Sequence, residues 1–118
     1  MRASKAEIKI EEILQMNGLT FKEEVSFEGL NSENGRPLRF DFVIFDDDGN
    51  IDFIIEYQGI QHYEPRSKFG GKKGLFQQQH NDKKKRRFCQ MNGLNLVEIP
   101  YTDENLLSYD YIMHRAGY

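Results

Sequence analysis

Four residues near the middle of the chain, Asp41, Glu56, Gln58 and His62, have the types and spacing that suit a divalent cation with an acid–base group beside it. Asp41 stands between Phe40 and Phe42 in a stretch of alternating residues, an unusual place for a carboxylate because strands are poor in Asp. Burying that carboxylate costs free energy unless a cation or hydrogen-bond donors accompany it. Glu56 and Gln58 lie two apart on the next alternating stretch, so both face the same way. A hairpin joining the two stretches brings them beside Asp41, although a shift of one residue in its register would turn Asp41 away. Two carboxylates suit Mg²⁺, which takes few protein oxygens and keeps its waters. His62 follows directly, after Gly59, and an imidazole at that point is suited to act as general base or general acid.

Two further acids belong to the same argument. Asp82 interrupts a basic run and shares a seven-residue spacing with Leu75 and Cys89, which places it on the inner stripe of a helix. An acid there needs a partner: Lys85 or Arg86 would be a structural one, His62 a functional one. Glu7 completes a capping box with Ser4 and could also support the site if its helix packs beside the hairpin.

The elements that must position these residues follow from periodicity. A first helix starts at Ser4 and ends at Asn17-Gly18. A strand carries Phe21, Val25 and Phe27, and a loop runs from Asn31 to Pro37. Residues 39–46 form a second strand, with Phe40, Phe42 and Ile44 on one face and Asp41, Val43 and Phe45 on the other. Asp46–Asn50 is a turn and Ile51–Gln58 a third strand. Residues 59–73 read as irregular, with 64–73 a flexible loop. A long helix over 74–92, a strand over 94–99 and a short helix around Leu106, Leu107 and Ile112 complete the chain. The five residues Gln15–Leu19 recur as Gln90–Leu94, each at the end of a helix, where Gly supplies a left-handed cap and Leu packs back. The expected fold is α/β in composition, an α+β single domain over residues 1–118, with a mixed sheet flanked by helices.

Charge is distributed unevenly. The net charge of -3 over 118 residues conceals nine basic residues against one acid between Arg66 and Arg87. Such a block is either a solvated helix face or a footprint for a polyanion. As the latter, Lys68, Lys72, Lys73, Lys83, Lys84 and Arg87 are the expected contacts to DNA phosphates, and Lys83, Lys84 and Lys85 are expected to act together. The single cysteine, Cys89, excludes an internal disulfide and a zinc site that needs two thiolates. No apolar run approaches a membrane span, and an intracellular, cytoplasmic setting is expected.

Taken together, Arg39–Phe42, Ile55–Tyr63, Asn81–Lys84 and Leu96–Tyr101 resemble the endonuclease domains related to the very-short-patch mismatch repair enzymes. More closely, they are similar to the phage homing endonucleases with the motif E-D-x-H-D. The resemblance runs from Glu7 to Tyr101. It implies a restriction-endonuclease-like core of the PD-(D/E)xK superfamily and hydrolysis of double-stranded DNA with Mg²⁺ or Mn²⁺ rather than zinc. The implied catalytic residues are Glu7, Asp41, Gln58 at the variable position, His62 and Asp82, with Asp41 and Glu56 as metal ligands. Gln58 stands where the superfamily has a lysine, so proton handling would fall to His62. Gln58 would then hydrogen-bond a water or a phosphate oxygen.

No sequence-reading module is recognisable, so the chain reads as the catalytic domain of a longer protein. Cutting both strands would take two copies, as in a homodimer. The alternatives are a mismatch-nicking or junction-resolving nuclease, a non-catalytic nucleic-acid-binding domain of the same fold, and a structural domain without a DNA role.

Overall fold

Three strands in a meander, a crossover helix and a fourth, parallel strand form the frame. The computed structural model describes residues 4–118. Helix α1 (Lys5–Met16) leads into strands β1 (Thr20–Asn31), β2 (Pro37–Phe45) and β3 (Ile51–Gln58), then helix α2 (Gly71–Met91), strand β4 (Leu96–Pro100) and helix α3 (Tyr109–Arg115). The sheet order is β1-β2-β3-β4. The first two pairings are antiparallel and the last is parallel, as a crossover through a helix requires. Among the described residues no helix is long and apolar enough to cross a membrane.

Two apolar clusters cover the two faces of the sheet. On one face Ala6, Ile10 and Leu14 of α1 and Ile112 of α3 pack on Phe42, Ile44, Phe53, Ile55, Val97 and Ile99. On the other, Cys89 and Phe88 of α2 pack with Leu38, Phe40, Val43 and Ile54. The result is a mixed α/β sheet with helices on both sides, as the sequence implies.

The repeated pentapeptides have the expected basis. Gly18 (φ 67°) and Gly93 (φ 64°) are left-handed. The amide of Leu19 donates to Leu14 O and that of Leu94 to Cys89 O, the bond that closes a Schellman turn. The Asn17 and Asn92 side chains add a matching bond each, to Ile13 O and Phe88 O, both 2.8 Å.

Two expectations need correction. Helix α2 begins at Gly71, not 74, and ends at Met91. The segment expected to be a flexible loop holds a 3-10 turn, Ser67–Phe69, and an Arg66–Gly71 bridge. A left-handed Gly70 (φ 88°) starts the helix, a conformation that Gly adopts at low cost, so the two glycines that look like breakers serve as the helix entry.

The other correction concerns β2. Phe40 does not share a face with Phe42 and Ile44: it packs with Val43 under α2, while Phe42 and Ile44 lie under α1. The alternation reverses at Asp41. It reverses on β1 at the facing residue, since Phe21 packs on the α1 side while Val25 and Phe27 pack on the α2 side. Between them is Glu24, with φ 54°, the one left-handed residue other than glycine among the described residues.

Candidate active site

The reversal at Asp41 coincides with a fork in the sheet. The β2–β3 ladder runs from Phe45–Ile51 to Phe42–Ile55 and stops there, while β2 remains paired with β1 and β3 with β4. Side chains take over where backbone pairing ends. The Asp41 amide donates to Glu56 Oε1 at 2.8 Å, and the Tyr57 amide donates to Asp41 Oδ2 at 2.7 Å. Each carboxylate thus accepts from the opposite strand, and the register brings Asp41 and Glu56 together.

Asp41 lies in a crowded acidic setting. Carboxylate oxygens of Glu7, Glu24 and Asp41 all fall within 4.8 Å of one another. Burial, then the Glu56 charge, pushes the Asp41 carboxyl from its ordinary 3.8 up to about 8, against the opposing pull of the Tyr57 amide. Among the described residues none of these three acids has an ion-pair partner within 4.0 Å. Three carboxylate oxygens this close are a donor set of the kind that could hold a hard cation such as Mg²⁺ or Mn²⁺. Glu7 also retains its capping contact with the Ser4 hydroxyl.

Glu56 is held differently from the metal ligand that the resemblance implies. It is buried, and its second oxygen, Oε2, accepts from Lys85 Nζ at 2.9 Å. Burial raises its pKa, while Lys85 and the Asp41 amide pull it down. Lys85 is itself almost enclosed, with its ammonium 5.5 Å from the centre of the Phe40 ring. Glu56 has both oxygens engaged, and the carboxylate that stands beside those of Asp41 and Glu7 is that of Glu24.

His62, in the 3-10 turn Ile60–His62 after β3, meets Asp82 of α2, with Nδ1 2.9 Å from Asp82 Oδ2. Gln78 Nε2 donates to the other oxygen, Oδ1, at 3.2 Å. Asp82 is therefore partnered by His62 and Gln78, and neither Lys85 nor Arg86 serves it: Arg86 forms a two-pronged pair with Glu98. With Nδ1–H directed to Asp82, the imidazole leaves Nε2 as its lone-pair nitrogen. His62 lines a cavity of 220 Å³ together with Gln58, Tyr63, Gln79, Asp82, Lys83 and Arg86.

Gln58 is held at both ends of its side chain. It is buried, its amide nitrogen donates to Glu98, and its oxygen accepts from the Tyr63 hydroxyl at 2.7 Å. Both ends are engaged by protein groups, and the side chain lines the same cavity as His62.

The basic block divides in three dimensions. Lys68, Lys72, Lys73, Lys83 and Arg87 are exposed, and among the described residues they make no ion pair within 4.0 Å. Lys84 turns sideways and donates to Asn31 O at 2.9 Å. Lys85 points inward, so the expected trio of Lys83, Lys84 and Lys85 is not one surface. Consecutive helical residues diverge by about a quarter turn, and Lys85 lies three residues past the inward-facing Asp82.

Fold and site define a domain with helices on both faces of a mixed sheet and an acidic fork at its centre. The chain belongs to the family described as "Protein of unknown function (DUF2726)", whose model matches residues 5–110. It is 38% identical over 90 residues to uncharacterized protein 094L of Frog virus 3 (isolate Goorha), covering 74% of this chain and 56% of that one. Uncharacterized protein 307L of Invertebrate iridescent virus 6 is 41% identical over 58 residues, 48% of this chain and 29% of its own length. Uncharacterized protein 033L of Invertebrate iridescent virus 3 is 45% identical over 49 residues, 41% of this chain and 25% of its own. The matched part is thus about half the length of the first relative and less of the other two. No solved structure matches the chain.

Proposed function

We propose that this domain is a metal-dependent endonuclease that hydrolyses phosphodiester bonds of double-stranded DNA. The observation that carries the reading is Asp41: a carboxyl at a fork in the sheet, crowded by Glu7, Glu24 and Glu56, whose ionised form is disfavoured until positive charge arrives. Asp41, Glu7 and Glu24 would hold Mg²⁺ or Mn²⁺. A cation bound there supplies positive charge to the scissile phosphate and acidity to a water.

The protein's own groups have separable tasks. His62 Nε2 takes a proton from the attacking water or returns one to the leaving oxygen. Asp82 orients the ring and stabilises it when it carries the proton. Lys85 neutralises Glu56, so that Glu56 fixes the Asp41 backbone without adding a fourth free negative charge. Lys68, Lys72, Lys73, Lys83 and Arg87 bind backbone phosphates, which gives affinity without sequence information. The resemblance to the E-D-x-H-D homing endonucleases supports the same reading, and catalysis of a double-strand cut would take two copies.

Incubation with supercoiled plasmid tests the proposal. Relaxed or linear product with Mg²⁺ or Mn²⁺, and none with EDTA, is the expected result. Intact plasmid under all conditions, with DNA binding demonstrated, would overturn it.

A further inference from the structure

A second cavity, larger than the one at His62, lies away from the acidic fork. It measures 480 Å³ and opens between the turn after β1 and the flank of α2, bounded by Glu33, Arg36, Phe76, Gln77, His80 and Asn81 among others. Phe76 is 74% exposed, an apolar ring left open on a helix that is otherwise polar along this flank. Around it are side chains that donate and accept: Gln77, Asn81 and the His80–Glu33 pair, joined at 3.0 Å. Lys73 precedes Gln77 by one helical turn, and Lys84 follows Asn81 on the same flank, against Asn31 O. Arg36 provides a cation from the turn.

A planar apolar surface, amide edges and surrounding cations describe the requirements of a nucleobase attached to phosphates. Rings stack on exposed aromatic side chains, amides and carboxylates read base edges, and basic residues hold the backbone. We propose that this cavity receives a single base turned out of a DNA duplex, stacked on Phe76. The inference rests on the endonuclease reading only for the choice of DNA as the polymer.

The placement fits one strand crossing the helix. The small cavity at His62 lies on the Gln79–Lys83–Arg86 flank of α2, and the large one on the Gln77–His80–Asn81 flank. A helix is about 10 Å across and nucleotides rise about 3.4 Å along a strand, so roughly three nucleotide steps separate the two. The cavity therefore gives a domain without a groove-reading helix a way to prefer sites where a base is unpaired or readily unstacked.

The test is fluorescence anisotropy in EDTA, with two labelled duplexes of one sequence, one fully paired and one carrying a single unpaired adenine. Wild-type protein should bind the bulged duplex more tightly by roughly 5- to 150-fold, the range expected for stacking one base on an aromatic ring. Phe76→Ala should lose that preference and keep its affinity for the paired duplex; Phe76→Tyr, which retains a ring, should keep the preference. Equal binding of both duplexes by the wild type, or an undiminished preference in Phe76→Ala, would overturn the inference. Its failure is distinguishable from failure of the endonuclease reading: cleavage with no bulge preference overturns the base site alone, and bulge preference with no metal-dependent cleavage overturns the nuclease alone.

Discussion

Glu24 is the one left-handed residue other than glycine among the described residues. A left-handed conformation costs an ordinary L-residue about 1–2 kcal/mol, and it persists only where surrounding structure imposes it. Here it brings the Glu24 carboxylate to Glu7 and Asp41. Glu24→Gly should relieve the strain and raise thermal stability slightly, by about 1 kcal/mol or less after the entropy cost of Gly. Metal binding, followed by calorimetry with Mn²⁺, should weaken in the same variant. A variant that loses stability without losing Mn²⁺ affinity would make Glu24 a structural residue. Neither Glu24 nor Lys85 stands out in the sequence. Glu24 is one of three acids on its strand, and only a backbone reversal, which periodicity does not encode, brings its exposed carboxylate beside Glu7 and Asp41. Lys85 is one of five consecutive basic residues, and its burial follows from packing on Phe40.

In the proposed reaction His62 is the group that moves a proton. His62→Ala should slow cleavage by roughly 10²–10⁴-fold, the usual contribution of a positioned acid or base, with little change in DNA affinity. Loss of Mn²⁺ binding in proportion to activity would make it a ligand instead. The spacing of Leu75, Asp82 and Cys89 leaves two kinds of partner open for Asp82. Geometry decides between them, because Lys85 and Arg86 are already committed to Glu56 and Glu98.

At the scale of elements, the strands and helices are legible because hydrophobic spacing and glycine caps specify them locally. The fork is not. Strict alternation assigns Phe40, Phe42 and Ile44 to one face, whereas the strand crosses from one core to the other at Asp41. Sequence spacing of two says which residues share a face only while the pleat is unbroken. The basic helix is likewise legible as a block but not as surfaces. Replacing Lys83 and Arg87 with Gln should weaken binding to all DNA sequences. The slope of log affinity against log salt should fall by about 0.9 for each phosphate no longer neutralised. Lys85→Met should behave differently. It leaves Glu56 buried without its cation and should destabilise the fold by about 3–5 kcal/mol, measured by urea unfolding. If Lys85→Met proved neutral for stability while changing the salt slope, the inward assignment of Lys85 would be wrong.

At the scale of the whole molecule, the buried carboxyl at the acidic fork ties stability to pH. The folded protein holds the Asp41 proton up to about pH 8, whereas the unfolded chain releases it near 3.8. The folded state therefore binds more protons between those values, and its stability falls as pH rises through that window. Without metal, the unfolding temperature in EDTA should drop from pH 5 to pH 8. Added Mn²⁺ should restore more at pH 8. At pH 5 the cation must first displace the Asp41 proton, whereas near pH 8 much of the carboxyl is already ionised and ready to bind. Equal stabilisation by Mn²⁺ at both values would remove Asp41 from the metal site.

Cleavage by the Asp41→Asn variant is the most direct test of a nuclease centred on the fork. Asn preserves the size of the side chain and an oxygen to accept from the Tyr57 amide, and replaces the other carboxylate oxygen with an NH₂ group that cannot ionise. The measurement is the rate of supercoiled plasmid cleavage in Mg²⁺, with DNA affinity measured in parallel in EDTA. The expected result is cleavage by the wild type, none by Asp41→Asn, and unchanged DNA affinity, because several kcal/mol of charge stabilisation are lost at the phosphate alone. Cleavage by Asp41→Asn at the wild-type rate would contradict it.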